Sequence, residues 1–334
     1  MRTADPRIVV IGGGTGGFTL LGALKKYSRN VTALVNMADD GGSTGQLRDE
    51  LGVLPPGDVR KSLVALSESP KVRDLFNYRF TEGAFEGHTF GNLFLSALEK
   101  LTGNFAEGVE TASEVLDIVG EVMPITLDNV RLVIEWPDGT QVRGEGNIDT
   151  MAFAEEKGRP TLRLDPLARI NPAAAAAIRN ADLVVISAGD IYTSLGSSLA
   201  VDGVYRALKK SRAKVAYVSN LVTKPGQTDG FTVSDHAAEI ERLAGGEVID
   251  FVLYNTARPP EDLIDKYLKE GEYIVEIDRA ALSRAHYKAM GAALLDSETA
   301  PKVKGDPLAA HRSLIRHDGD AVARRLVALT EEKA

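Results

Sequence analysis

Apolar residues first come as an unbroken block ending at Ile11, and then at helical spacing at Phe18, Leu21 and Leu24. The block, Arg7–Ile11, is rich in β-branched residues and predicts a buried strand; the spacing predicts a helix over Phe18–Tyr27. Between them Gly12-Gly13-Gly14-Thr15-Gly16-Gly17 reads as a loop. A second block, Val31–Val35, completes a βαβ opening, which implies a parallel sheet covered by helices.

Residues 36–56 are rich in Gly, Asp and Ser and predict a long functional loop. Helical patterns follow at Val59–Leu66, Val72–Phe76, Asn92–Leu101 and Phe105–Leu116 with no strand among them, so residues from about 57 to 118 read as a helical insert or cap. Val130–Trp136 and Gln141–Arg143 flank the turn Pro137-Asp138-Gly139 and, with Thr161–Leu164, form a small β excursion over about 124–165. Alternation then resumes. Helices are expected at Ala173–Ile178 (with Pro172 near its start), Val201–Leu208, Asp235–Leu243, Pro260–Leu268 and Asp320–Leu329, and strands at Asp182–Ile186, Lys214–Val218, Phe251–Tyr254 and, briefly, Tyr273–Val275. The whole, 1–334, reads as a single α/β domain: a Rossmann-like, mostly parallel sheet with a helical cap and a small β excursion.

Composition narrows the class. With 44% hydrophobic and 26% charged residues the chain can bury a substantial core and stay soluble. A formal net charge of -8 argues against nucleic acid as a partner, while leaving room for a local phosphate pocket. With no cysteine there is no disulfide framework, no Cys-based zinc site and no thiol nucleophile. No apolar run is long enough for a signal-peptide core or a membrane span, so the cytoplasm is the expected location.

The glycine run has the spacing of a dinucleotide fingerprint at Gly12, Gly14 and Gly17, between a strand and a helix as that motif requires. Glycine permits the tight turn and the close approach of a phosphate, and the free N–H groups of the following helix face the anion. The same run would also serve as a plain tight turn. No Lys follows, so it is not a P-loop, and Asn36 stands where an NAD site has an acid. Asp39-Asp40-Gly41-Gly42-Ser43 offers two carboxylates for a divalent ion or for sugar and ribose hydroxyls, and Arg48 a guanidinium for a phosphate; a solvated turn is the plainer alternative. Asp58, after Pro55-Pro56-Gly57, reads equally as a helix N-cap. His88, in Gly87-His88-Thr89-Phe90-Gly91-Asn92, reads as an acid/base or phosphate donor and equally as a structural residue.

Two further polar segments follow strands: Ser187-Ala188-Gly189-Asp190 with Tyr192-Thr193-Ser194, and Asn220 through Gly230, which includes Thr223, Lys224 and Asp229. Open α/β sheets place ligands at the carboxyl ends of their strands, so these loops and the glycine run share one expected cleft.

In this order the segments resemble the gluconeogenesis factor family (YvcK-like), in the superfamily that contains 2-phospholactate transferase (CofD-like). The resemblance runs from Ile8 to about Leu329. It is carried by Gly12–Gly17, Ala38–Arg48, Leu54–Leu66, Gly87–Leu98, Tyr192–Ser194, Asn220–His236 and the closing Arg316-His317-Asp318. It implies a Rossmann-like core that binds UDP-sugars, a role in cell shape and carbon metabolism under gluconeogenic growth, and a part for Arg316 in holding the nucleotide-sugar. The chain departs from the family at Asp190, part of Ser187-Ala188-Gly189-Asp190 where Gly-Pro-Gly-Ser is usual; a carboxylate there repels a phosphate unless a cation lies between them.

The expected ligand is therefore a nucleotide-sugar or other nucleoside diphosphate. Its site is expected to comprise Gly12, Gly13, Gly14, Thr15, Gly16, Asp39, Asp40, Ser43, Arg48, Asn92, Gly189, Thr193, Asn220, Thr223, Asp229 and Arg316. Mg²⁺ on Asp39 and Asp40 is the one cofactor this pattern leaves open. A homo-oligomer is likewise left open, and no residue is assigned a catalytic role. The competing function is a metal-dependent transferase acting on a nucleoside diphosphate conjugate. An NAD(P)-dependent oxidoreductase is disfavoured by Asn36 and by the lack of a Tyr-x-x-x-Lys pattern.

Overall fold

The computed structural model describes residues 5–296 and 314–331. The chain opens with β1 (Ile8–Ile11), α1 (Gly14–Leu24), β2 (Val31–Val35), α2 (Gly42–Leu51), α3 (Gly57–Leu66), α4 (Pro70–Asn77), α5 (Phe90–Thr102), α6 (Phe105–Leu116) and β3 (Glu121–Pro124). Then come β4 (Arg131–Glu135), β5 (Gln141–Arg143), α7 (Glu145–Thr150) and β6 (Thr161–Asp165). The rest is α8 (Pro172–Asn180), β7 (Leu183–Ile186), α9 (Gly196–Leu199), α10 (Val204–Lys210), β8 (Lys214–Val218), α11 (Val233–Ala244), β9 (Phe251–Asn255), α12 (Glu261–Lys269), α13 (Arg279–Leu282), β10 (Lys288–Ala292) and α14 (Gly319–Glu331).

Among the described residues the main sheet is seven-stranded and parallel, in the order β10-β9-β8-β7-β1-β2-β3. The chain winds outward from β1 through β2 to β3, then returns to β7 and winds the other way. The direction of winding reverses between β1 and β7, and that crevice is where doubly wound folds hold ligands. In β1, Ile8 and Val10 pack into the core under α1, α3, α6 and α14, whereas Val9 and Ile11 pack into the core on the opposite face. All four are at most 2% exposed, and burying each side chain contributes about 1.5–3 kcal/mol.

β4, β5 and β6 form a separate antiparallel sheet in the order β5-β4-β6. Its inner residues Leu132, Ile134 and Leu164 join the core beneath Val9 and Ile11. Two arginines tie it down. Buried Arg48 of α2 donates to Asn129 Oδ1 and to the Val130 carbonyl, and Arg131 pairs with Asp40 at 2.8 Å and also with Asp49.

Several expectations need correction. Gly14–Gly17 are not loop: α1 begins at Gly14 and its first turn is built from the glycine run. Residues 36–56 contain α2, hidden in the sequence because Leu47 and Leu51 are its only large apolar residues. The edge strand β3 precedes the β excursion and pairs with β2; as an edge it tolerates its terminal Pro124. Tyr273–Val275 is no strand, since Ile274 makes only a single bridge to Val222. Lys288-Ala289-Met290-Gly291-Ala292 lacks β-branched residues, yet it forms β10 by pairing with β9. After β7, the polar run from Ile191 forms a π turn (Ile191–Leu195) that leads into α9.

Candidate functional site

The crevice between β1 and β7 is shaped by close backbone packing. A Cβ on Gly16 would lie 2.1 Å from the Ala188 carbonyl oxygen, so only glycine lets the first turn of α1 press against the loop after β7. A Cβ on Gly13 would fall 2.2 Å from Asp58 Oδ2, so any side chain here would displace the Asp58 carboxylate where α1 meets α3. Gly14 has φ +65° and no heavy atom within 4 Å of an added Cβ; its outer side is open. No side chain caps α1, α2 or α3, and α1 carries no acidic residue in its first turn. The N–H groups at these helix starts, together with the helix dipoles, give this corner a positive field.

Carboxylates answer that field. Asp58, in the first turn of α3, is not the N-cap but pairs with Lys61 at 2.9 Å. Asp39 Oδ1 accepts the Gly41 N–H at 3.0 Å. Burial, followed by repulsion from Asp58, raises the Asp39 pKa to about 6. Glu145, at the start of α7, reaches the same corner; burial, then the charges of Asp39, Asp149 and Asp58, push it up to about 8. It therefore holds its proton at neutral pH. Asp40 is committed elsewhere, to Arg131 and to the Gly146 N–H at 2.9 Å. Asp39 thus faces Asp58, not Asp40. Among the described residues no group of three or more His, Cys, Asp or Glu is arranged to hold a metal ion.

Across the crevice, Asp190 caps the π turn, accepting the N–H groups of Tyr192 and Thr193 at 3.1 and 3.0 Å. Lys224 pairs with Asp190 and, at 2.6 Å, with Asp149. The cation that Asp190 demanded is a side chain of this protein. Asn220 donates to the Gly189 carbonyl at 2.9 Å and accepts from the Tyr217 hydroxyl at 3.2 Å.

Beside α1 lies a cavity of about 170 Å³. Thr15, Gly16, Thr19 and Leu20 form one wall, Gly189, Asn220 and Leu221 another, and Arg316, His317 and Val322 close it. A larger cavity of about 700 Å³ opens next to it beyond Asn220 and Thr223, toward Tyr254 and Arg258.

The expected site residues thus divide. Gly12, Gly13, Gly14, Thr15, Gly16, Gly189, Asn220 and Arg316 gather at the crevice and its cavity, Asp39 stands at the adjoining acidic corner, and Thr223 lines the larger cavity. Ser43 is linked to Asn92, whose Oδ1 accepts from Arg60 Nε at 3.0 Å, so both belong to the packing of α2, α3 and α5. Arg48 directs Nε and Nη2 into the β excursion, to Asn129 and the Val130 carbonyl, and so anchors that sheet, while its buried Nη1 has no partner among the described residues. Thr193 lies within the π turn and is 1% exposed, and Asp229 is exposed on its loop. His88 sits in a turn that returns to Phe80. Sequence reasoning missed Glu145, Asp149 and Lys61 as members of the site. Gly144-Glu145 fits the family pattern within the β excursion, but nothing in its spacing announces that Glu145, the first residue of α7, folds back onto Asp39.

A doubly wound parallel sheet, with a glycine turn where its winding reverses and an uncapped helix start above it, makes this a Rossmann-like α/β protein. The chain belongs to the 2-phospho-L-lactate transferase CofD family, whose model matches residues 8–295. It is similar to the gluconeogenesis factor of Bacillus subtilis, 38% identical over 332 residues, which cover 98% of this chain and 99% of that one. It is also similar to the gluconeogenesis factor of Halalkalibacterium halodurans, 40% identical over 85% of this chain and 86% of the relative. A crystal structure of a Bacillus halodurans protein superposes with a TM-score of 0.87 at 35% identity, covering 97% of this chain and 99% of that chain. Among the described residues no helix is long and apolar enough to cross a membrane.

Proposed function

We propose that the chain binds a nucleoside diphosphate conjugate, a UDP-sugar in the first instance, and acts as a regulatory protein of the gluconeogenesis factor type, influencing cell shape and envelope metabolism during gluconeogenic growth. One observation carries this reading. The first turn of α1 has no side-chain cap, and its glycines bring bare backbone to the mouth of the β1/β7 crevice. The diphosphate lies against Gly13–Thr15, with Arg316 and Asn220 on the far side. The names borne by the Bacillus subtilis and Halalkalibacterium halodurans relatives agree with this assignment.

A second reading, a transferase acting on such a conjugate, is favoured by the mutual repulsion of Asp39 and Asp58 beside Gly13. Mg²⁺ is commonly held by one or two carboxylates plus ligand phosphates, and Asp39 with Asp58 would hold it here. The ion would offset charge on the diphosphate and strengthen its leaving group.

A thermal-shift panel of UDP-, GDP- and adenine nucleotides and UDP-N-acetylglucosamine, with and without Mg²⁺, tests both readings. A ligand that binds only the native state raises the melting temperature by mass action. The regulatory reading expects a shift with an intact conjugate and no product after long incubation. Magnesium-dependent turnover supports the transferase. No shift with any nucleotide overturns both.

A further inference from the structure

Where the helical cap meets the start of α2, several hydrogen-bond donors gather without an anion. Arg60 of α3 is 8% exposed. Its Nε donates to Asn92 Oδ1 at 3.0 Å and its Nη1 to Asn77 Oδ1, both neutral amides. Nη2 makes no hydrogen bond among the described residues, yet it is not sealed from solvent. Room for this side chain is built in: a Cβ on Gly91 would lie 2.7 Å from Arg60 Cδ and 2.8 Å from Phe76 Cδ1. Arg79, just after α4, donates to the Gly87 carbonyl, and neither arginine pairs with a carboxylate among the described residues. Burial, and after it the charge of Arg79, lowers the Arg60 pKa to about 10, so the group stays a cation at neutral pH.

Bracing α3 against α4 and α5 does not by itself call for a charge. A buried ion held only by amides keeps most of its desolvation cost, which a counter-charge would offset. Asp58, whose charge reaches Arg60, is already paired with Lys61.

Asn92 connects Arg60 to α2. Its Nδ2 lies 3.4 Å from Ser43 Oγ, so a single amide separates the guanidinium from the first turn of that helix. Nη2 shares the Nε edge of the planar guanidinium, the edge turned toward Asn92. α2 has no side-chain cap and no acidic residue in its first turn. The N–H groups of Gly42 and Ser43 find no acceptor among the described residues, nor does the Ser43 hydroxyl hydrogen. A Cβ on Gly42 would meet nothing within 4 Å, so this helix start is open on its outer side. Free helix N–H groups, a hydroxyl and a guanidinium are a donor set suited to phosphate. Asp39, bonded to the preceding Gly41 N–H, is a carboxylate that opposes an anion here.

We propose that the start of α2 and Arg60 form a second phosphate site, separate from the α1 turn: the N–H groups of Gly42 and Ser43 and the Ser43 hydroxyl hold one side of a phosphate monoester, and Arg60 Nη2 reaches the other. Arg79 adds its charge to the attraction. The site does not depend on the nucleotide reading above.

Inorganic phosphate and glycerol 3-phosphate, titrated into the isotopically labelled full chain at constant ionic strength, test the site. The amide NMR signals of Gly42 and Ser43 and the Nε–H signal of Arg60 report on it; those of Gly14 and Thr15 report on the α1 turn. Saturable shifts at Gly42, Ser43 and Arg60 are expected in the millimolar range. Arg60→Gln should weaken binding at Gly42 and Ser43 about 10- to 100-fold, the loss of one charge-assisted bond, and leave Gly14 and Thr15 as they were. Arg60→Lys, which keeps the charge, should retain part of the affinity. UDP separates the two sources of phosphate. If it moves all four amides, the site takes a further phosphate of the nucleotide ligand; if it moves Gly14 and Thr15 alone, the site takes a separate monoester. The proposal is overturned if Gly42 and Ser43 stay still in both phosphates, if acetate moves them as far, or if a folded Arg60→Gln protein binds as well as wild type. The comparison of phosphate with acetate uses wild-type protein, so a poorly folding variant leaves the test intact. Should UDP move no signal while phosphate still moves Gly42 and Ser43, the nucleotide reading falls and this site stands.

Discussion

The ammonium of Lys224 pairs with the carboxylate of Asp190 across the loops that follow β8 and β7. Both side chains are largely shielded, at 29% and 18% exposure, so the pair is less screened than a surface salt bridge. Lys224→Met leaves Asp190 and Asp149 without their cation. It is expected to destabilise the protein by about 1–2 kcal/mol, and adding Asp190→Asn should restore most of that. Urea unfolding of the single and double variants checks both outcomes; full additivity would mean that the pair contributes nothing.

Stability should fall as pH rises through neutrality. Asp39 and Glu145 hold protons in the folded state up to about 6 and about 8, whereas their ordinary values are 3.8 and 4.5. The folded state therefore binds more protons than the unfolded chain across that window, so each unit of pH within it favours unfolding, and the loss levels off above about 8. Glu145→Gln should flatten the decline, gaining roughly 2–4 kcal/mol near pH 8 and little below pH 5. Urea midpoints measured from pH 5 to about pH 8.5 follow the effect. An identical slope in the variant would show that Glu145 ionises freely.

Two glycines of the opening turn should fail in different ways. Gly16→Ala drives a methyl group into the Ala188 carbonyl and should cost about 1–3 kcal/mol of stability, because backbone on both sides must move. Gly14→Val meets no atom but forces a side chain into the left-handed region, at a cost of about 1–2 kcal/mol. It should leave a folded protein whose open face is blocked. Melting curves with and without the best nucleotide separate the two: a Gly14→Val protein that keeps the full ligand shift would move the diphosphate elsewhere.

Arg48 should behave as an anchor. Arg48→Met strands Asn129 Oδ1 and the Val130 carbonyl and should destabilise by about 2–3 kcal/mol, while the surviving folded protein binds nucleotide with unchanged affinity. A selective loss of affinity without loss of stability would restore Arg48 to the ligand site.

The main sheet was largely legible because β1, β2, β7 and β8 are buried on both faces and therefore read as continuous apolar blocks. The same logic hid β10 and β3, whose edge positions relax the demand for apolar residues. α2 escaped notice because its stability comes from Arg48 and the α5 contact more than from a hydrophobic stripe. At the site, the glycine turn and the loops after β7 and β8 were readable from their order along the chain. The roles of Asp40 and Arg48 were not, since a carboxylate or guanidinium beside glycines looks the same whether it awaits a ligand or a partner 80 residues away. Arg131 and Val130 decide that, and they are brought there by tertiary packing.

The last helix lies along the first: Tyr27 of the α1 end bonds to Asp320 of α14 at 2.9 Å, across 293 positions of sequence. Residues 315–322 supply one wall of the cavity and residues 15–20 the opposite wall. During synthesis the opening strand and its glycine turn emerge early, yet the cavity has no far wall until residues 315–322 are made and α14 docks on α1, so the two walls are joined only when the chain is nearly complete.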